Sequence, residues 1–183
     1  QKRKNLSLQK NGNRRLNVMF SDFCYHNRQT VHERYVPLSI GLIAQYAKQQ
    51  FGNDINVSLY KSADKFLQQV IQTPPDVVGM SVYMWNKALS RYVAKRMREM
   101  FGNDVIIIIG GPSIDSDKEE QRNFLKNSFP MVDGIVVNEG EISFSNIIKK
   151  VLENRKTVFR DPIDGLSYLE GDNLIQGRPN PLT

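Results

Sequence analysis

A single cysteine, Cys24, stands in 183 residues. No intrachain disulfide can form, and a reducing, cytoplasmic setting is expected. The two histidines, His26 and His32, share one loop with Cys24 and lack recognised ligand spacing, which leaves metal chemistry little to draw on. No stretch approaches the roughly 18 consecutive apolar residues of a membrane span, and the N-terminus lacks the apolar core of a secretion signal. Phosphate motifs are missing as well: there is no Gly-x-Gly-x-x-Gly after the first apolar run and no Gly-x4-Gly-Lys-[Ser/Thr], which argues against a dinucleotide site and a P-loop. The loop Ser21 to Val31 has no tight Ser/Thr/Gly nest of the kind that holds a flavin phosphate. Met80-Ser81 occupies the place where a phosphorylatable aspartate would end the third strand of a receiver domain.

The net charge of +6 is concentrated at one end. Lys2, Arg3, Lys4, Lys10, Arg14 and Arg15 fall in the first fifteen residues without an anion, and removing them leaves basic and acidic residues equal at 19 each. Residues 1–14 therefore read as a disordered basic tail, and the balanced remainder gives no reason to expect nucleic acid. The chain starts at Gln1 rather than Met and is expected to be a piece of a longer protein. Apolar content of 40% with 24% charged residues suits one ordinary globular domain.

What the chain does have is a series of β-branched runs that stop at glycine or polar residues. Val105 to Ile109 ends in Gly110-Gly111-Pro112-Ser113, and Asp133 to Val137 ends in Asn138-Glu139-Gly140-Glu141. Unalternating apolar runs suit strands buried on both faces, as in a parallel sheet. Further strands are expected over Leu16 to Ser21, Ile55 to Tyr60 and Asp76 to Val82. Helices are expected from Pro37 to Phe51, from a cap at Ser62, from Asn86 to Phe101, over about Lys118 to Lys126, and from Glu141 to Leu152. Ile163 to Tyr168 and Asn173 to Ile175 read as a small hairpin around Glu170-Gly171-Asp172. Alternating strands and helices imply right-handed β-α-β units. The fold class is α/β: a flavodoxin-like, Rossmann-like doubly wound five-stranded parallel sheet in the order 2-1-3-4-5, with a small C-terminal β-hairpin. The 22–36 loop, Ser81-Val82-Tyr83, Gly110 to Ser113 and Asn138 to Glu141 then converge on one crevice. The phrase Phe-Gly-Asn-Asp occurs at 51–54 and again at 101–104, both at expected helix-to-strand turns.

Five segments in order carry a resemblance. Pro-Leu-Ser-Ile-Gly-Leu-Ile-Ala (37–44) precedes Pro-Asp-Val-Val-Gly-Met-Ser-Val (75–82) and Ile-Gly-Gly-Pro-Ser (109–113). Val-Asp-Gly-Ile-Val-Val-Asn-Glu-Gly-Glu (132–141) and Ile-Asp-Gly-Leu-Ser-Tyr (163–168) follow. Together, over about residues 15–181, the pattern resembles the N-terminal cobalamin-binding domain of cobalamin-dependent radical S-adenosylmethionine enzymes. The resemblance implies a base-off cobalamin over the carboxyl edge of the sheet, its nucleotide tail running down between strands. Ser81 and Val82 match the segment near that tail, with Tyr83 beside them, and Gly110 and Gly111 match the paired glycines, with Pro112 and Ser113 following. Asn138, Glu139 and Gly140, with Glu141, match a Gly-Glu-Gly-Glu signature in which Asn138 replaces the first glycine. Trp85, the sole tryptophan, is a candidate to stack on the corrin.

Mutase-type relatives carry Asp-x-His-x-x-Gly after the first strand to supply a cobalt ligand. Here that stretch reads Asp22-Phe23-Cys24-Tyr25-His26-Asn27, so His26 reads as a solvated loop residue. A [4Fe-4S] cluster needs several thiolates, so the cluster and the S-adenosylmethionine site are expected in a C-terminal radical SAM domain of the same polypeptide. The expected organisation is a cobalamin-binding-like α/β domain over 15–154, then hairpin and linker over 155–183. The expected function is a cobalamin-binding module of a methyltransferase-type enzyme, not catalytic alone. Two other readings stay open: a degenerate Rossmann-like scaffold that binds a protein partner without cofactor, and another nucleotide-type ligand in the same crevice.

Overall fold

A computed structural model of the protein describes residues 14–24 and 36–180. Most of the basic tail, most of the 22–36 loop, and both histidines lie outside them. Five parallel strands form the centre: β1 (Leu16–Ser21), β2 (Ile55–Tyr60), β3 (Val77–Ser81), β4 (Ile106–Gly110) and β5 (Gly134–Val136). They are ordered β2-β1-β3-β4-β5, the doubly wound arrangement expected from the alternation of runs. The hairpin strands β6 (Leu166–Glu170) and β7 (Asn173–Gln176) do not stand apart. β6 pairs antiparallel with β5 through Ile135↔Ser167 and Val136↔Leu166 and extends the sheet to seven strands. A hairpin alone is marginal in water; docking on β5 buries Leu166 and Ser167.

Helices cover both faces. α1 (Leu38–Phe51) and α5 (Glu141–Asn154) bury Ile40, Ala44, Phe144, Ile147 and Ile148 against one side, together with Phe20 and Val136 of the sheet. α2 (Ala63–Gln72) and α3 (Lys87–Phe101) bury Phe66, Val70, Val93 and Met97 against Met80, Ile107 and Ile109 on the other. Each isoleucine of β4 buried this way is worth about 1.5–3 kcal/mol, which is why a run with no polar alternation is stable only at the sheet centre.

Several boundaries differ from expectation for identifiable reasons. Asp76 and Asp133 precede their strands rather than starting them. The Asp76 carboxylate accepts the N–H of Asn17 at 2.8 Å and pairs with Arg155 at 2.8 Å. Asp133 accepts the N–H of Ile107 and the Arg98 guanidinium, both at 2.7 Å. Both clamps sit at the amino edge of the sheet, away from the crevice. Pro37 occupies the cap position of α1 rather than its first turn. α4 (Lys118–Asn123) is shorter than expected because the chain widens into a π turn over Phe124–Ser128, packing Leu125 and Phe129 inward. The repeated Phe-Gly-Asn-Asp makes the same turn twice: Gly52 (φ 51, ψ −118) caps α1, and Gly102 (φ 54, ψ −132) caps α3. Ala or any larger residue is strained in that region.

Candidate functional site

At the carboxyl edge of the sheet, the ends of β3, β4 and β5 open into a cleft of about 1460 Å³. Strand alternation decides which side chains reach it. Gly79 and Ser81 face the α1/α5 side along β3, whereas Met80 and Val82 pack with the α2/α3 core. Ser81 is only 8% exposed, yet it lines the cleft. Its hydroxyl makes no hydrogen bond among the described residues. The Ser113 hydroxyl, also at the cleft, is buried and likewise unpartnered there.

The β4 exit is built around missing side chains. Gly111 has φ +113, and a Cβ there would lie 2.7 Å from the Val82 carbonyl oxygen and 3.0 Å from its nitrogen. The two loops meet at this contact: Val82 donates its N–H to the Gly110 carbonyl at 2.7 Å, and the Ser113 N–H reaches the Val82 carbonyl at 3.4 Å. Gly110 is less constrained, with its nearest neighbour 3.3 Å from a notional Cβ. The result is a ledge of bare backbone beside the cleft, where a flat ring or a phosphate can approach closely. Asn138 at the end of β5 has φ 67, the one non-glycine with positive φ among the described residues. Asn tolerates the left-handed conformation better than most residues, so this turn forms without a glycine.

The walls differ in character. Leu38, Ile40 and Ile43 of α1 and Phe144 of α5 make one side apolar, with Phe20 beneath. Phe20 and Phe144 meet edge to face at 5.1 Å and form the floor under Gly79. The opposite wall, from the β4–α4 loop, α4 and the π turn, presents Asp115, Ser116, Glu120, Asn123 and Asn127. Sequence reading missed both walls, because nothing in the α1 and α4 patterns marks the residues that overhang the strand ends.

Of the residues singled out from sequence, Ser81, Tyr83, Gly110, Gly111, Pro112, Ser113, Asn138, Glu139 and Gly140 line one cleft. Val82 and Trp85 do not. The Val82 side chain is fully buried in the α2/α3 core, so it contributes only backbone. Trp85 is 63% exposed and stacks on Tyr83 at 4.5 Å with the rings 9° apart, which places it at the rim. A residue not singled out holds the crevice together. Asn86 is wholly buried; it donates to the carbonyls of Phe23 (3.2 Å) and Ser81 (3.1 Å) and accepts the Tyr83 N–H at 2.8 Å.

Near the end of β1, Asp22 is 1% exposed, and one of its carboxylate oxygens has no partner among the described residues. Burial pushes its pKa up to about 6 from an ordinary 3.8, with Lys61 pulling the other way. Burial, and then the charge of Asp22, also raise the Cys24 thiol, against a smaller lowering by Lys61, so Cys24 is a poor thiolate. Because Asp22 ionises later in the fold than in the unfolded chain, its contribution to stability is full below pH 4. It is lost as pH rises through about 6. The difference of about two pH units corresponds to about 3 kcal/mol. Urea unfolding at pH 4 and 7.5 is expected to show the wild type losing roughly that much more stability than Asp22→Asn; equal losses would contradict the assignment.

Among the described residues no helix is long and apolar enough to cross a membrane, and no group of three or more His, Cys, Asp or Glu is placed to hold a metal ion.

The family model of the B12 binding domain matches residues 27–148. The chain is 27% identical over 149 residues to the cobalamin-dependent radical SAM methyltransferase TokK of Streptomyces tokunonensis, covering 78% of this chain and 21% of that protein. It is 28% identical over 151 residues to the 2-(S-pantetheinyl)-carbapenam-3-carboxylate methyltransferase of Streptantibioticus cattleyicolor, covering 79% and 21%. The chain thus spans about a fifth of the length of these curated relatives. In fold it is similar to the receiver domain of an HD domain-containing protein from Pseudomonas fluorescens Pf-5, with TM-score 0.51, 12% identity, and coverage of 79% of this chain and 99% of that one. The receiver domain of RcsB from Salmonella enterica serovar Typhimurium is similar at TM-score 0.52 and 12% identity, covering 77% and 91%. These two share the architecture alone; the relation in sequence lies with the family model and the two methyltransferases, and the chain belongs to the B12-binding domain family.

Proposed function

We propose that this chain is the cobalamin-binding module of a radical S-adenosylmethionine enzyme of the methyltransferase type, and that the cleft is its cofactor site. The observation that carries the reading is the bare Gly110–Gly111 ledge beside a cleft of about 1460 Å³ in a chain matched by the B12-binding family model. Small-molecule pockets commonly measure about 300–1,000 Å³, so the space suits a large cofactor. The residues fit such a group chemically. Gly110 and Gly111 allow a ring to lie against backbone, Ser81 and Ser113 offer hydroxyls without partners among the described residues, and the α1 wall supplies apolar cover.

The chemistry such a cofactor supplies is a cobalt atom able to accept and release a methyl group. This chain's own residues bind and orient. The Ser81 hydroxyl and the Gly79–Phe144 floor would receive the nucleotide tail in a base-off arrangement. That state is supported by the sequence Asp22 to Asn27, which lacks the histidine and glycine spacing of a cobalt-ligating loop. The cluster and S-adenosylmethionine site belong in this proposal to a partner domain of the longer protein. The 21% share of each relative spanned by this chain, and the radical SAM methyltransferase TokK being one of those relatives, support that division.

The partner-scaffold reading has one observation in its favour, the exposure of Met84 (86%) and Trp85 (63%) at the rim. The test is to mix the purified chain with hydroxocobalamin, remove free ligand by gel filtration, and record the visible spectrum. Retained corrinoid with a base-off spectrum is the expected result. A retained base-on spectrum overturns the placement of the tail, and colourless folded protein overturns the cofactor reading in favour of the scaffold.

A further inference from the structure

We propose that the cleft reads the carboxamide periphery of its cofactor through an acceptor wall of carboxylates, and rejects corrinoids in which a peripheral amide has become a carboxylate. This rests on the cobalamin reading above and adds a specificity to it.

The basis is the charge of the lining. The chain carries a net +6, yet the charged residues lining the cleft among those described are Asp115, Glu120, Glu139 and Glu141 against Lys87 alone. The Lys87 ammonium sits 5.0 Å from the centroid of the Phe124 ring, held by that π face. One oxygen of Asp115 accepts the Asp117 N–H at 2.9 Å. The exposed Glu120 side chain takes no hydrogen bond from another residue among those described. It stands at the α4 wall, across the cleft from the apolar helix α1. The Ser81 hydroxyl is an independent sign that the cleft is built for a polar ligand. It belongs to a residue more than nine-tenths buried, lines the cleft, and has no protein partner among the described residues.

Ionised carboxylates only accept hydrogen bonds, and a primary carboxamide brings two N–H donors. A corrin ringed by carboxamides therefore satisfies this wall with charge-assisted bonds. A ligand carboxylate in the same place brings no proton and sets two like charges side by side, which weakens binding. The same charge balance disfavours ligands with several phosphates, the nucleotide-type alternative for this crevice.

Trp85 is the sole tryptophan and lies at the rim, so quenching of its fluorescence by a corrin reports binding. Hydroxocobalamin is titrated into the chain alongside each purified monocarboxylic acid made by hydrolysing one peripheral amide. At least one acid is expected to bind roughly tenfold more weakly than hydroxocobalamin. The double variant Asp115→Asn, Glu120→Gln, which keeps hydrogen-bonding side chains at both positions, is expected to close most of that gap while still binding hydroxocobalamin. All acids binding within about twofold of the amide form, or an unchanged gap in the double variant, overturns the proposal and leaves the cobalamin reading standing. Failure of hydroxocobalamin itself to bind folded protein overturns that reading, and the specificity with it.

Discussion

Gly111→Ala is expected to destabilise the protein by about 3–5 kcal/mol, combining a strained φ with overpacking against backbone. At φ +113 an alanine is strained by itself, and its methyl would press 2.7 Å from the Val82 carbonyl oxygen. That neighbour cannot swing aside like a side chain. Val82 is buried, and its peptide is bonded to Gly110 and Ser113 on the adjacent loop. Relief would require separating the β3 and β4 exits, which deforms the cleft. Gly110→Ala is the control. Its Cβ would lie 3.3 Å from the Val136 carbonyl, and its φ is not positive, so a loss of about 1 kcal/mol is expected. Its methyl still raises the ledge at the cleft. Urea unfolding and cobalamin titration of both variants separate the effects: Gly111→Ala loses stability and binding, Gly110→Ala chiefly binding. A Gly111→Ala protein as stable as wild type would mean that neither the positive φ nor the Val82 contact demands glycine at that position.

Asn86→Ala is expected to cost about 3 kcal/mol, because two carbonyls and one N–H that it satisfies in a fully buried place lose their partner. Those groups belong to two stretches distant in sequence: Phe23 after β1, and Ser81 with Tyr83 where the chain leaves β3. Loosening them should be felt at the cleft through Ser81 and Tyr83, which line it. Asn86→Asp discriminates between bonding and mere volume. It keeps an acceptor for the Tyr83 N–H but turns a carboxylate toward two carbonyl oxygens. That group would hold its proton in the fold, so the variant is expected to be less stable at pH 7.5 than at pH 4 by an amount exceeding the wild-type change. Chemical denaturation at the two pH values checks this, and a variant as stable as wild type at pH 7.5 would sink the hydrogen-bonding role of Asn86.

The fold was legible because its strands are extreme. Ile106 to Ile109 with no polar alternation has few places to go except the middle of a parallel sheet, and Gly52 and Gly102 end their helices visibly. The strand starts at Asp76 and Asp133 were not legible, since a side chain that substitutes for a ladder hydrogen bond is a tertiary event. The docking of β6 on β5 was hidden for the same reason, as edge pairing leaves no local pattern.

At the cleft, the ledge glycines and Asn138 were readable from residue type, since each marks a backbone need. The assignment of Val82 to the site was avoidable. Period-two alternation from Gly79 and Ser81 already sends Val82 to the opposite face. Trp85 had no such signal. Its stacking on Tyr83 depends on how the loop after β3 turns, and the buried hydrogen bonds of Asn86 set that turn.

The most direct measurement is an experimental structure of the chain saturated with hydroxocobalamin. The corrin is expected against the Gly110–Gly111 ledge, facing Asn138 and the carboxylates of the α4 wall, with the nucleotide tail entering beside Ser81 above the Phe20–Phe144 floor. A corrin seated on another face of the sheet, or a cleft left empty in protein that binds the cofactor in solution, would contradict the assignment of this cleft as the cobalamin site.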